Sequence, residues 1–161
     1  MRSASAETLL STRSATAATL DPAMKANLKS LQALRGSVGD TAFDGRPLLV
    51  TFFASWFPPC RAEMSELANY IAQNGNGVSM IAVNWMEDFA GPVSRSRLKR
   101  FVDVIHPDIP VVVGNTALGR ALNGIHAVPA VVIFDSAGQE LFKLGGGHGE
   151  IGRHYITQRG L

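Results

Sequence analysis

The stretch Leu48-Leu49-Val50-Thr51-Phe52-Phe53-Ala54-Ser55-Trp56-Phe57-Pro58-Pro59-Cys60-Arg61-Ala62-Glu63-Met64 holds the first clue to the architecture. Residues 48–53 are apolar apart from Thr51, with none of the polar alternation of a strand that faces water on one side. They are expected to form a central strand, covered on both faces. Pro58 and Pro59 suit the first turn of a helix, where a missing N–H is tolerated. Met64, Leu67 and Ile71 extend that helix's apolar face as far as Asn74-Gly75, a natural stop. Cys60 falls in the first turns of this helix, and Glu63, at i+3, can reach the same face.

The same alternation of elements continues on both sides. Asp21-Pro22 offers a helix start, and Met24, Leu28, Leu31 and Leu34 recur at helical spacing; a helix is predicted over residues 23–34, ended by Gly36 and Gly39. A second buried strand is expected over 78–84, a helix over 94–105, a short strand near Val111 and a helix over 116–122. A hairpin over 130–144 turns at Ser136-Ala137-Gly138. Strands alternating with helices imply an α/β sandwich. The glycine run 145–149 reads as a turn, because no Lys-Ser/Thr follows it to make a phosphate loop.

Composition fits one domain with a substantial core: 161 residues, 46% hydrophobic and 17% charged. Residues 21–161 are assigned to that domain. Residues 1–20, rich in Ser, Ala and Thr, read as a disordered tail; they contain two arginines, so a transit-like peptide is the rival reading, and no apolar run has the length of a signal-peptide core. A net charge of +2 is too small to argue for nucleic acid. The densest basic run, Arg95 to Arg100, reads as the solvated face of a helix, with a partner-binding patch as the rival reading. One cysteine excludes an internal disulfide and a cysteine-based zinc site of the usual spacing.

Taken together, several segments resemble the TlpA/ResA-like, or redoxin, branch of the thioredoxin superfamily over roughly residues 41–149. They are 48–56, Pro58-Pro59-Cys60-Arg61-Ala62-Glu63-Met64, 77–84, 109–113 and Ala127-Val128-Pro129 followed by an apolar strand. The resemblance implies a thioredoxin-like three-layer α/β/α sandwich with a mixed central sheet, a TlpA/ResA-type insertion and an N-terminal extension. It implies thiol-disulfide oxidoreductase ancestry, a protein or peptide thiol/disulfide substrate, no cofactor, and a periplasmic or otherwise extracytoplasmic site of action; a membrane anchor would have to lie outside these residues. It places Cys60 and Glu63 at catalytic positions, with Glu63 in active-site proton transfer, and Trp56, Pro58 and Pro59 around them. Pro129 becomes a cis-proline, and the backbone of Val128 the contact for a bound peptide.

Phe57 breaks the pattern. A Trp-Cys-x-x-Cys turn sets its first thiol at a helix N-terminus, where backbone N–H groups stabilise the thiolate, and a phenyl ring has no such chemistry. Thr51 also departs, standing where thioredoxin buries an aspartate. Three readings follow. The chain has lost the dithiol cycle and persists as a peptide- or protein-binding module; or Cys60 alone works as a monothiol, peroxidase-like enzyme, although the Thr that peroxiredoxins place three residues earlier is here Phe57; or Phe57 replaces the nucleophile of an otherwise ordinary Cys-Pro-Pro-Cys reductase. Cys60 itself is either a small apolar core residue or a thiol whose proton Glu63 accepts. Trp56 and Phe57 are either core or an exposed apolar rim that grips a peptide. No metal is predicted: Cys60 with His126 offers too few soft ligands, His126 reads as a solvent-facing loop residue, and His148 and His154 as surface.

Overall fold

The computed structural model describes residues 17–145. Its elements are α1 (Pro22–Ser30), β1 (Ala33–Arg35), a 3₁₀ turn (Asp40–Phe43), β2 (Leu48–Phe53), α2 (Pro58–Asn74), β3 (Ser79–Asn84), α3 (Arg95–Val104), β4 (Val111–Val113), α4 (Thr116–Ala121), β5 (Ala130–Phe134) and β6 (Glu140–Gly145). The sheet order is β1-β4-β3-β2-β5-β6. β2, β3 and β4 run parallel, while β1, β5 and β6 pair antiparallel to their neighbours. The sheet is therefore mixed.

The run 48–53 sits in the centre as its sequence predicts, between β3 and β5, with every residue buried. β3 and β5 are buried along their whole length too, which requires cover on both faces. Successive side chains of β2 show that cover directly, because neighbours on a strand point to opposite faces. Phe53 stacks on Phe101 of α3, ring centroids 4.8 Å apart. Phe52 meets Trp85 edge-on at 5.7 Å, and the Trp85 ring lies against Gly114 and Gly119, the latter in α4. Thus α3 and α4 lie on opposite faces, giving the three layers. Each fully buried Phe contributes about 1.5–3 kcal/mol over an exposed one.

Several boundaries shift for local reasons. The first helix stops at Ser30 rather than Leu34: Asp21 caps its start by accepting from Met24 N at 2.8 Å, but Leu31 adopts an extended conformation, and Leu34 falls in edge strand β1. Ser94 and Asn115 lie just outside α3 and α4 as side-chain N-caps, each accepting from the backbone N–H three residues on. The tail assigned to 1–20 is corrected at its end. Ala18 is buried, Thr19 bridges to Gln139, and Leu20 N–H donates to Gly138 O at 2.7 Å, so residues 18–20 pack on the β5–β6 hairpin. That hairpin turns where predicted, with Asp135 Oδ1 accepting from Ala137 N and Gln139 N and with Gly138 at φ +83°. The readings of residues 1–16, of Gly146 to Gly149, and of His148 and His154 lie outside the described residues.

Candidate functional site

Parallel pairing delivers the C-terminal ends of β2, β3 and β4 to one edge of the sheet, where ligands of open α/β sheets ordinarily sit. The segments that meet there are 54–60, 85–88 and 114–116. Antiparallel β5 starts at the same edge, since Ala130 pairs with Phe52, so Val128 and Pro129 lie beside the turn that follows β2. The Val128-Pro129 bond is cis, and both residues are buried.

Within the turn, Phe57 is the N-cap of α2, with extended backbone and no side-chain cap. Pro58 and Pro59 remove two N–H groups that a helix start would otherwise leave unpaired, and Cys60 N donates to Phe57 O at 3.0 Å. The helix start thus carries no thiol, and the donors nearest to it are deleted or engaged. Cys60 is fully buried, at 0% exposure. Its thiol pKa is pushed up from 9.0 to about 11, chiefly by burial. The Ala54 N–H, which reaches Sγ at 3.5 Å, opposes the rise, while the Glu63 and Glu87 carboxylates add to it. Glu63 is also fully buried, so it is not an exposed helix-former. Thr51 is buried as well, and its hydroxyl has no hydrogen-bond partner among the described residues.

Trp56 and Phe57 are half-buried, neither wholly core nor wholly rim. Their ring centroids lie 5.5 Å apart, and Trp56 stacks on Phe89 at 5.9 Å. Phe89 is 71% exposed, which completes an aromatic surface beside exposed Pro58. The Trp56 indole N–H donates to Met86 O at 2.9 Å.

A polar cluster behind the turn has no counterpart in the sequence reading. Glu87, 8% exposed, accepts from Ser55 N and Asn84 Nδ2, each at 2.8 Å, and from the Ser55 hydroxyl. Arg97 Nε donates to Ser55 Oγ at 3.1 Å, and its guanidinium lies 3.5 Å from Glu87 Oε2. Arg97 is therefore turned inward, correcting the view of 95–100 as a purely solvated face. One signal was available: an acidic residue three positions beyond Asn84, at the C-terminal end of a central parallel strand. Beside this cluster opens a cleft of 1330 Å³ whose lining includes Trp85, Glu87, Arg95, Lys99, Asn115 and His126; Phe57, Cys60 and Glu63 do not line it. His126 is exposed, and no group of three His, Cys, Asp or Glu side chains among the described residues could hold a metal.

The sheet order, the cis-proline beside the turn and the helix beginning at that turn define a thioredoxin-like α/β protein. The redoxin family model matches residues 17–145, and the chain belongs to the redoxin family. It is 24% identical over 112 residues to the thioredoxin-like protein YneN of Bacillus subtilis, covering 70% of this chain and 62% of that protein. Over 97 residues it is 28% identical to the thiol:disulfide interchange protein DsbE of Yersinia pestis, covering 59% of this chain and 46% of that one. The chain thus spans less than two thirds of either relative. Among solved structures, a DsbE from Chlorobium tepidum superposes with a TM-score of 0.61 at 20% identity, covering 80% of this chain and 87% of that one. The N-terminal domain of PilB from N. meningitidis gives 0.62 at 18% identity, with 85% and 97% covered. These likenesses establish a thioredoxin fold, carried by a chain with one cysteine.

Proposed function

We propose that this redoxin has lost the dithiol exchange cycle and works as a binding module for polypeptide segments. The segments would dock at the edge where Trp56, Phe57 and Phe89 adjoin the backbone of Val128. The observation that carries this reading is the pair Phe57 and Cys60. A dithiol cycle needs an accessible thiolate at the helix start and a second thiol to resolve the mixed disulfide; this chain has a phenyl ring at the first position and a fully buried thiol at the second. A monothiol, peroxidase-like enzyme would need Cys60 exposed and ionised near neutral pH, and burial opposes both. The binding part of the reading is supported by the aromatic rings, the exposed proline and the cis-proline segment that share one edge. Action beyond the cytoplasmic membrane agrees with solved relatives described as a secreted disulfide oxidoreductase of Mycobacterium tuberculosis and an exposed lipoprotein thioredoxin of Streptococcus pneumoniae.

The test is the alkylation rate of Cys60 against pH, read by intact mass on native and denatured protein. We expect negligible labelling of the native chain at neutral pH and rapid labelling after unfolding. Labelling of the native chain should rise only as pH approaches about 11. Rapid native labelling with an apparent pKa below ~7.5 would place Cys60 among activated thiols and overturn the proposal. Linkage gives a matching stability profile. The folded state holds the thiol proton more tightly than the unfolded chain, so this contribution is complete below pH 9.0 and is lost as pH rises towards about 11. Binding itself is tested with S-carboxymethylated α-lactalbumin, an unfolded polypeptide with neither free thiol nor disulfide. A Kd of ~1–100 μM is expected, and its absence would sink the binding reading.

A further inference from the structure

We infer that Trp85-Met86-Glu87 is a positioning clamp that sets the two halves of the binding edge, the motif turn and the cis-proline segment, at a fixed separation. The inference rests on the binding reading above, but its geometry is independent of it. Three consecutive residues each tether a different part of the site. The Trp85 indole N–H donates to Ile125 O at 3.0 Å, holding the segment that leads into Val128-Pro129. Met86 O accepts the Trp56 indole N–H, holding the aromatic side of the turn. The Glu87 carboxylate accepts from both the backbone N–H and the hydroxyl of Ser55, holding the turn itself.

The clamp is well braced. Trp85 N donates to Phe53 O at 2.7 Å, so the segment starts from the central strand pair. Asn84 Nδ2 bridges Phe53 O at 3.2 Å and Glu87 Oε1 at 2.8 Å. Arg97 engages both Glu87 and Ser55 from α3. The Trp85 ring is fixed on its other side: a Cβ built on Gly114 would lie 2.5 Å from its Cε3, and one on Gly119 2.9 Å from its Cη2. Met86 takes φ +56°, a left-handed conformation that non-glycine residues rarely adopt and that surrounding contacts must hold. Such bracing, with a carboxylate shared among three neighbours, suits pre-organisation of a surface, which limits the entropy lost on binding.

Amide hydrogen exchange on the full chain, paired with binding to S-carboxymethylated α-lactalbumin, tests this. Glu87→Ala should raise exchange at 54–57 by about tenfold or more while leaving β5 unchanged. Trp85→Phe keeps a ring against Gly114 and Gly119 but removes the indole donor. It should raise exchange at 124–128 by a similar factor and leave Trp56 as the sole indole. In that background Glu87→Ala should red-shift the Trp56 emission, since the turn that carries this ring is released. Each single variant should weaken binding about tenfold. Glu87→Gln retains one acceptor oxygen and should recover part of the protection at 54–57, and it also serves if Glu87→Ala fails to fold. A uniform rise across the sheet would make these residues merely structural, and unchanged local exchange would remove the clamp; either overturns the inference. Local exchange changes together with no binding by the wild-type chain would uphold the clamp and defeat the binding reading instead.

Discussion

Phe57→Cys is expected to confer disulfide reductase activity, with insulin reduction at least about 100-fold above the wild-type background. The wild-type chain should give none by the dithiol route. Residue 57 is the N-cap of a 17-residue helix, at the point where the helix dipole ends. A thiol introduced there acquires the field that lowers cysteine pKa values to roughly 3.5–7.5. Cys60 follows one turn later, and residues three apart on a helix have Cβ atoms ~5–6 Å apart, close enough for small backbone adjustments to allow a disulfide. Burial of Cys60 then becomes an asset, because the resolving thiol of such a pair needs protection from solvent and from competing partners. The substitution forfeits the Phe57 contact with Trp56 and part of the packing of a half-buried ring, at a cost below the ~3–5 kcal/mol of a fully buried Phe truncation. A folded Phe57→Cys variant that forms the 57–60 disulfide and still turns over no insulin would count against the ancestry of this edge as a catalytic site. Wild-type turnover comparable to a dithiol thioredoxin would defeat the functional proposal outright.

What the sequence made legible follows from range and periodicity. β2 could be placed because an unbroken apolar run has one comfortable location in an α/β fold. α2 could be placed because proline and glycine mark its ends. The β5–β6 turn was visible because Ser136-Ala137-Gly138 separates two strand-like runs, and the structure adds Asp135 Oδ1 as acceptor for the turn's N–H groups. β1 was hidden, since Leu31 and Leu34 continue a helical spacing that their backbone does not follow; Leu31 turns extended, and β1 forms only because β4, nearly 80 residues on, offers its edge. The network around Glu87 was hidden for the same kind of reason, although the residue's place just after β3 was a signal. Its partners Ser55 and Arg97 lie 32 residues before it and ten after it, and an isolated Glu after a strand carries no periodic signal. The inward turn of Arg97 was masked by a basic run in which Arg95, Lys99 and Arg100 are indeed exposed. Local rules thus located the turn and its single cysteine, whereas the hydrogen bonds that Glu87 and Arg97 bring to the turn come from residues distant in sequence.

Arg35 gives the second large effect: Arg35→Met should destabilise the domain by about 2–4 kcal/mol, lowering Tm by roughly 10 °C. Its guanidinium donates to four backbone carbonyls, Val102 at 3.0 Å, Ile105 at 2.7 Å, and His106 and Ile109 at 2.6 Å each. The first two belong to the last turn and C-cap of α3, where the dipole favours a cation; Val102 O also accepts from Ile105 N at 3.1 Å, and His106 O from Ile109 N at 3.0 Å. Burial draws the guanidinium pKa down and Asp103 opposes this, but an arginine so placed remains charged at any physiological pH. Met fills much of the volume and donates nothing; Val102 O and His106 O keep their backbone donors, while Ile105 O and Ile109 O are left to whatever water can reach them. Arg35→Lys tests geometry against charge. An ammonium carries the same charge from a single atom and cannot span carbonyls contributed by four residues as a planar fork does, so it should recover less than half of the loss. Urea unfolding of the three proteins decides the matter: a loss under about 1 kcal/mol for Arg35→Met would mean that water replaces the fork, and full recovery by Lys would mean that charge at the helix end is what counts.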